Sequence, residues 1–61
     1  MLWLSEVLLQ SPEAESFEDL KDVITQRAAG ERFFRMDIKP PFSDTPPDWE
    51  DRLEAVFTAV R

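Results

Sequence analysis

The stretch Glu31-Arg32-Phe33-Phe34-Arg35-Met36-Asp37-Ile38-Lys39 alternates apolar and charged side chains and is closed by Pro40-Pro41. Successive side chains of a β-strand point to opposite faces, so this alternation predicts a strand over residues 31–39. Its apolar, inward face carries Phe34, Met36 and Ile38. Its opposite side carries Phe33, Arg35, Asp37 and Lys39. We take this strand as the central element, because the helical patterns on either side need its apolar face.

The segment before this strand has apolar residues at helical spacing. Phe17, Leu20 and Ile24 recur every three or four residues and predict a helix over residues 16–29. Ser16 is the expected N-cap, and Ser11 with Pro12 is a competing start. Gly30, the only glycine of the chain, stands where the pattern stops and can take the left-handed conformation that closes a helix.

The segment after the strand begins with a proline-rich connector over residues 40–47, which holds four of the five prolines. Fixed backbone angles and missing N–H donors exclude it from a strand ladder. Thr45 as N-cap and Pro46 at the first helical position then predict a helix over residues 46–60. Its apolar stripe comprises Trp49, Leu53, Val56, Phe57 and Val60.

The segment 2–10 fits two structures. Leu2, Leu4 and Leu8 match a strand face broken by a glutamate, whereas Leu4, Val7 and Leu8 match a helical stripe. The apolar run is short and ends at Ser11-Pro12, so we predict a strand over residues 2–10. If this segment is helical instead, the protein is mostly α.

The predicted order is strand, helix, strand, helix within a single small mixed α/β domain spanning residues 1–61. A helix that joins two strands of one sheet usually makes them parallel. Two strands alone are marginally stable in water and leave unpaired backbone groups at both edges. We therefore expect a second copy or another protein to complete the sheet, as a homo-oligomer or an obligate hetero-complex.

The residue types present restrict the chemistry. The chain has no histidine and no cysteine, so the commonest general base and the strongest common nucleophile are missing. We predict no enzymatic activity, no cofactor and no metal site. Lack of cysteine in so small a domain favours a reducing, cytoplasmic location. The apolar start is interrupted by Glu6, which predicts neither a signal peptide nor membrane insertion.

The charge balance is strongly acidic, with 13 Asp and Glu against seven Lys and Arg and a formal net charge of -6. Nucleic acids are polyanions, so direct binding to them is not expected. Basic proteins are the favoured partners. The acidic surface residues that we single out are Asp48, Glu50, Asp51 and Glu54. An alternative is that these carboxylates mimic nucleic acid and inhibit a DNA- or RNA-binding protein.

Aromatic residues are numerous for the length of the chain, with two Trp and five Phe. So small a core does not easily enclose them all, and large rings contribute most of the affinity at interface centres. We predict partner-binding roles for Trp3, Phe33, Arg35 and Phe42, although Phe42 in its connector also suits the core. The leading hypothesis is a small acidic interaction module, acting as a regulator, inhibitor, adaptor or accessory subunit on a larger protein.

Overall fold

The computed structural model describes residues 1–60, and within them it has three helices and two short parallel strands. In chain order the elements are β1 (Leu2–Trp3), α1 (Leu4–Gln10), α2 (Phe17–Arg27), β2 (Phe34–Arg35) and α3 (Trp49–Ala59). The mixed α/β class is confirmed. The order strand, helix, strand, helix is wrong, because α1 lies where most of the first strand was expected.

Parallel pairing of β1 with β2 joins the start of the chain to its middle. Leu2 pairs with Phe34, and Trp3 pairs with Arg35. The Leu2 amide donates to the Phe33 carbonyl oxygen at 2.8 Å. The predicted parallel direction is therefore confirmed. Leu2 is buried and Phe34 is half-buried, so the face that they share is turned to the core and alternation places Trp3 and Arg35 on the opposite face.

Residues 4–10 form a helix and do not continue the strand predicted over residues 2–10. Leu4 and Val7 are fully buried, whereas Leu9 is 82% exposed. A strand that buried Leu4 and Leu8 would turn Val7 toward solvent. The helical stripe prevails because it buries Leu4 and Val7 on one face with Leu8 packed beside them.

The alternating pattern predicts a strand over residues 31–39, but the observed strand β2 is much shorter and covers only Phe34–Arg35. β1 gives way to a helix at Leu4, so the chain after Arg35 has no strand beside it to pair with. Phe34 and Met36 still pack against the core, as the alternation requires. The expected inward position of Ile38 is wrong, since this side chain is 44% exposed.

The second helix begins where its sequence signals place it. The Ser16 hydroxyl oxygen accepts a hydrogen bond from the Asp19 amide at 3.1 Å, which confirms Ser16 as the N-cap. Asp44, from the connector, also accepts from the Phe17 amide at 2.8 Å. The helix ends at Arg27, two residues before the predicted end, and Gly30 closes the following turn with a φ of 85°.

The third helix starts at Trp49, later than the predicted residue 46. The Trp49 amide bonds to the Pro46 carbonyl oxygen at 3.2 Å, so a turn precedes the helix. Thr45 is not the N-cap, because its hydroxyl donates to the Pro40 carbonyl oxygen at 3.2 Å. The prolines thus rigidify a turn before the helix, and Asp48 occupies the N-cap position.

The hydrophobic core draws on β1 and on each of the helices α1, α2 and α3. Its buried apolar residues are Leu2, Leu4, Val7, Phe17, Leu20, Ile24, Ala28, Leu53 and Phe57. β2 joins this core through Phe34, whose ring stacks on that of Phe57 with 5.3 Å between centroids. Half-buried Phe42 and Trp49 pack around the same cluster.

The neighbours Phe34 and Phe33 provide a matched test of this arrangement. We expect Phe34→Ala to lower the free energy of unfolding by about 2 kcal/mol, less than the ~3–5 kcal/mol of a fully buried phenylalanine, because the ring is half-buried. Phe33→Ala should change it by less than about 0.5 kcal/mol, since that ring is 63% exposed. Urea unfolding followed by circular dichroism measures both, and equal losses would contradict the assignment of strand faces.

Candidate functional site

An open groove lies where the two strands end. Its volume is about 420 Å³. Trp3 and Arg35 are the last residues of β1 and β2, so the groove lies at the carboxyl ends of both parallel strands. The residues that line it are Trp3, Phe34, Arg35, Met36, Asp37 and Glu50. α/β proteins commonly bind ligands in the crevice beyond the carboxyl ends of parallel strands.

Trp3 and Arg35 form one wall of the groove and belong to adjacent strands. They are partners in the parallel register. The Arg35 guanidinium carbon lies 5.6 Å from the centroid of the Trp3 ring, within the range of a cation–π contact. The contact holds a half-buried aromatic ring and an exposed cation together on the face opposite the core. Two of the residues predicted to bind a partner are therefore brought into direct contact.

Asp37 lines the groove and caps α1. Its carboxylate accepts a hydrogen bond from the Ser5 amide at 3.1 Å. Hydrogen bonding from the Ser5 side chain, and then from the Ser5 amide, lowers the pKa of the Asp37 carboxyl below its usual 3.8. One carboxylate thus serves both the stability of α1 and the charge of the groove.

Glu50 contributes the second carboxylate of the groove lining, from the first turn of α3. It is exposed and makes no ion pair with any residue from 1 to 60. Glu54 lies one turn further along the same helix face and is equally exposed. These two carboxylates extend an acidic strip away from the groove along α3.

The remaining predicted acidic residues differ in their surroundings. Asp48 accepts a hydrogen bond from Arg52 Nε at 2.8 Å. The Arg52 guanidinium lowers the pKa of the Asp48 carboxyl, first through this hydrogen bond and then through its charge. Asp51 is exposed and, within residues 1–60, has no salt-bridge partner. Asp48 is therefore partly neutralised by its own helix, whereas Asp51 is not.

The other predicted partner-binding residues lie apart from the groove lining. Phe33 precedes β2 and is 63% exposed, on the same side of the strand as Arg35 by alternation. We call Trp3, Phe33 and Arg35 the outer face. Phe42 is half-buried and packs against the core, which leaves less of its ring for a partner.

Sequence reasoning did not assign Phe34, Met36 or Asp37 to a site. Phe34 and Met36 were expected inside, and each also presents an edge to the groove because the ladder stops beside them. Asp37 caps α1 at Ser5, which lies 32 residues earlier in the chain. No local signal marks that pairing, since capping patterns are defined within a few residues of the helix that they cap.

The charged side chains of the groove lining are Arg35, Asp37 and Glu50. Within residues 1–60 no group of three or more His, Cys, Asp or Glu side chains is placed to hold a metal ion. None of the helices there is long and apolar enough to cross a membrane. The groove offers the aromatic and thioether surface of Trp3, Phe34 and Met36. Beside it lies Glu50, which has no ion-pair partner among residues 1–60. This combination suits recognition of another molecule.

The chain matches no protein-family model, no curated protein and no solved structure. The function is therefore argued from the outer face and the groove.

The Asp37 cap gives a pH-dependent prediction. Because the folded pKa lies below the unfolded value, this carboxylate stabilises the fold fully above its usual pKa of 3.8, and the contribution is lost as pH falls through the folded pKa. Asp37→Asn should therefore be less stable than the wild type at pH 7, and the difference should shrink at acidic pH. Thermal unfolding from neutral to acidic pH measures it.

The matched control is Asp22→Asn, which removes the same charge from an exposed site on α2. Asp22 makes no side-chain hydrogen bond or ion pair with residues 1–60. Identical pH profiles for the two variants would show that net charge, and not the cap on α1, produces the effect.

Proposed function

We propose that this protein is a non-enzymatic protein–protein interaction module that docks on a larger protein through its outer face. The observation that carries the proposal is the placement of Phe33. Phe33 precedes β2 and is 63% exposed, and alternation along the extended chain puts it on the side of Arg35, which contacts Trp3. Exposed aromatic surface beside an arginine has the composition of interface centres, where a few such residues supply most of the affinity.

The edges of the sheet support an association role. Within residues 1–60 the sheet has two strands of two residues each, in the order β1-β2. Each strand has one neighbour, so one edge of each strand is left for another chain. Completion of this sheet by a second copy or by the larger protein is part of the proposal. Either partner would add backbone hydrogen bonds that a two-stranded ribbon lacks.

The acidic surface supports a basic target. The chain carries a net charge of -6, and Glu50, Asp51 and Glu54 on α3 are exposed. Complementary charge mainly accelerates encounter and excludes wrong partners, while apolar burial retains the complex. A regulator, inhibitor, adaptor or accessory subunit would use the two effects in this way. Separately, the lack of cysteine favours the cytoplasm as the location of the protein.

A nucleic-acid mimic is a weaker candidate. It needs a row of carboxylates that remain charged and free, and Asp48 is instead paired with Arg52 on its own helix. In the mimic, removing the charges of Glu50 and Glu54 would reduce binding more than any aromatic change. In the docking module, truncation of an aromatic ring would have the larger effect.

The test of docking uses Phe33→Ala with Leu9→Ala as its matched control. Leu9 is 82% exposed on α1, so both variants remove an exposed apolar side chain. A photo-reactive residue at position 33, compared with one at position 9, first captures the partner from an extract of the source cells. Phe33→Ala should then weaken binding of the purified partner about tenfold or more, and Leu9→Ala should not.

Sedimentation equilibrium of the wild-type protein over a wide concentration range decides whether the partner is a second copy. A dimer that dissociates on Phe33→Ala would identify the outer face as the self-association surface. A folded monomer in which positions 33 and 9 capture the same proteins would contradict the docking proposal.

A further inference from the structure

We propose that the groove at the carboxyl ends of β1 and β2 takes an extended, cationic peptide segment of the partner, with one apolar side chain in the groove and an Arg or Lys paired with Glu50. This inference rests on the proposed function and adds to it the chemistry of the segment that is bound. It concerns the groove and not Phe33, which lies outside the groove lining.

The size and lining of the groove suit an apolar side chain with its flanking backbone. Its volume of about 420 Å³ falls in the ~300–1,000 Å³ range of ligand-binding clefts. Trp3, Phe34 and Met36 supply the apolar surface. Met is a flexible, polarisable side chain that adapts to different apolar groups, so the groove accepts an aliphatic residue without one required shape.

The charges of the groove favour a cationic ligand. Arg35 is held over the Trp3 ring, and Asp37 is hydrogen-bonded to Ser5 at the start of α1. Glu50 is the groove carboxylate that makes no ion pair or side-chain hydrogen bond with residues 1–60. Glu54, one turn along α3, repeats the same charge. A ligand with two cations flanking an apolar residue complements this arrangement.

A second copy of this chain is the less suitable occupant. Each chain carries a net charge of -6, so two copies repel each other before any contact forms. Residues 31–39 carry three cations against two acids, but the central residues of this stretch already line the groove or pair with β1. A cationic segment of another protein meets no such repulsion.

The probes are three short acetylated and amidated peptides of identical length. The first places Leu between two Arg residues with Ser spacers, the second replaces both Arg by Glu, and the third replaces Leu by Ser. The protein carries Trp49→Phe, so Trp3 in the groove wall is the only tryptophan and its fluorescence reports binding there. Circular dichroism establishes that each variant is folded before titration.

We expect the Arg peptide to change Trp3 fluorescence saturably and the other two peptides to bind at least tenfold more weakly. Glu50→Gln should weaken the Arg peptide about two- to fivefold, as expected for one exposed ion pair. Glu13→Gln, which removes an equal charge from an exposed residue outside the groove, should have no comparable effect. Higher salt should reduce the difference between these two variants.

Equal binding of the Arg and Glu peptides, no binding of the Arg peptide, or equal losses for Glu50→Gln and Glu13→Gln would each overturn the inference. Concentration-dependent dimerisation that Glu50→Gln abolishes, in a protein that does not bind the Arg peptide, would assign the groove to a second copy. Failure of the proposed function is separate, because it is measured at Phe33 against Leu9 with the captured partner. A partner lost on Phe33→Ala with no peptide binding would remove the groove inference alone.

Discussion

The parallel pairing of Leu2–Trp3 with Phe34–Arg35 is the contact on which the remaining structure depends. It directs Leu2 and Phe34 to the core and Trp3 and Arg35 away from it, so one short ladder creates both the packing face and the outer face. It also fixes where the ladder stops. Because β1 turns into α1 at Leu4, the chain after Arg35 diverges and the groove opens between β2 and the first turn of α3.

Two aspartates from loops stabilise this arrangement over long separations in sequence. Asp37 accepts from the Ser5 amide of α1, and Asp44 accepts from the Phe17 amide of α2. Each satisfies a backbone donor that the helix itself leaves unpaired, and each ties the second half of the chain to the first. A core this small gains little stability from burial alone. Hydrogen bonds that join distant parts of the chain therefore add to the stability of the fold.

The predictable parts of the fold are those in which several local signals agree. The Phe17–Ile24 stripe, the Ser16 cap and the Gly30 turn define α2 closely. Residues 2–10 carried two valid patterns, and the choice depended on whether Val7 found a core, which is a tertiary property. The extent of β2 likewise depended on its neighbour and not on its own alternation, so the run up to Lys39 overestimated the strand. Trp3 and Arg35 were both predicted from residue type, but their contact follows from a register that no local signal sets.

The same geometry connects stability to recognition. Asp37 belongs to the groove and to the cap of α1, while Arg35 belongs to the groove and to the Trp3 contact. Both charges are therefore held in place by intramolecular partners. Glu50 has no such commitment among residues 1–60 and stands at the start of an exposed acidic strip. In the proposed complex, a cation of the partner placed against Glu50 would add an ion pair and disrupt none that already stabilises the protein.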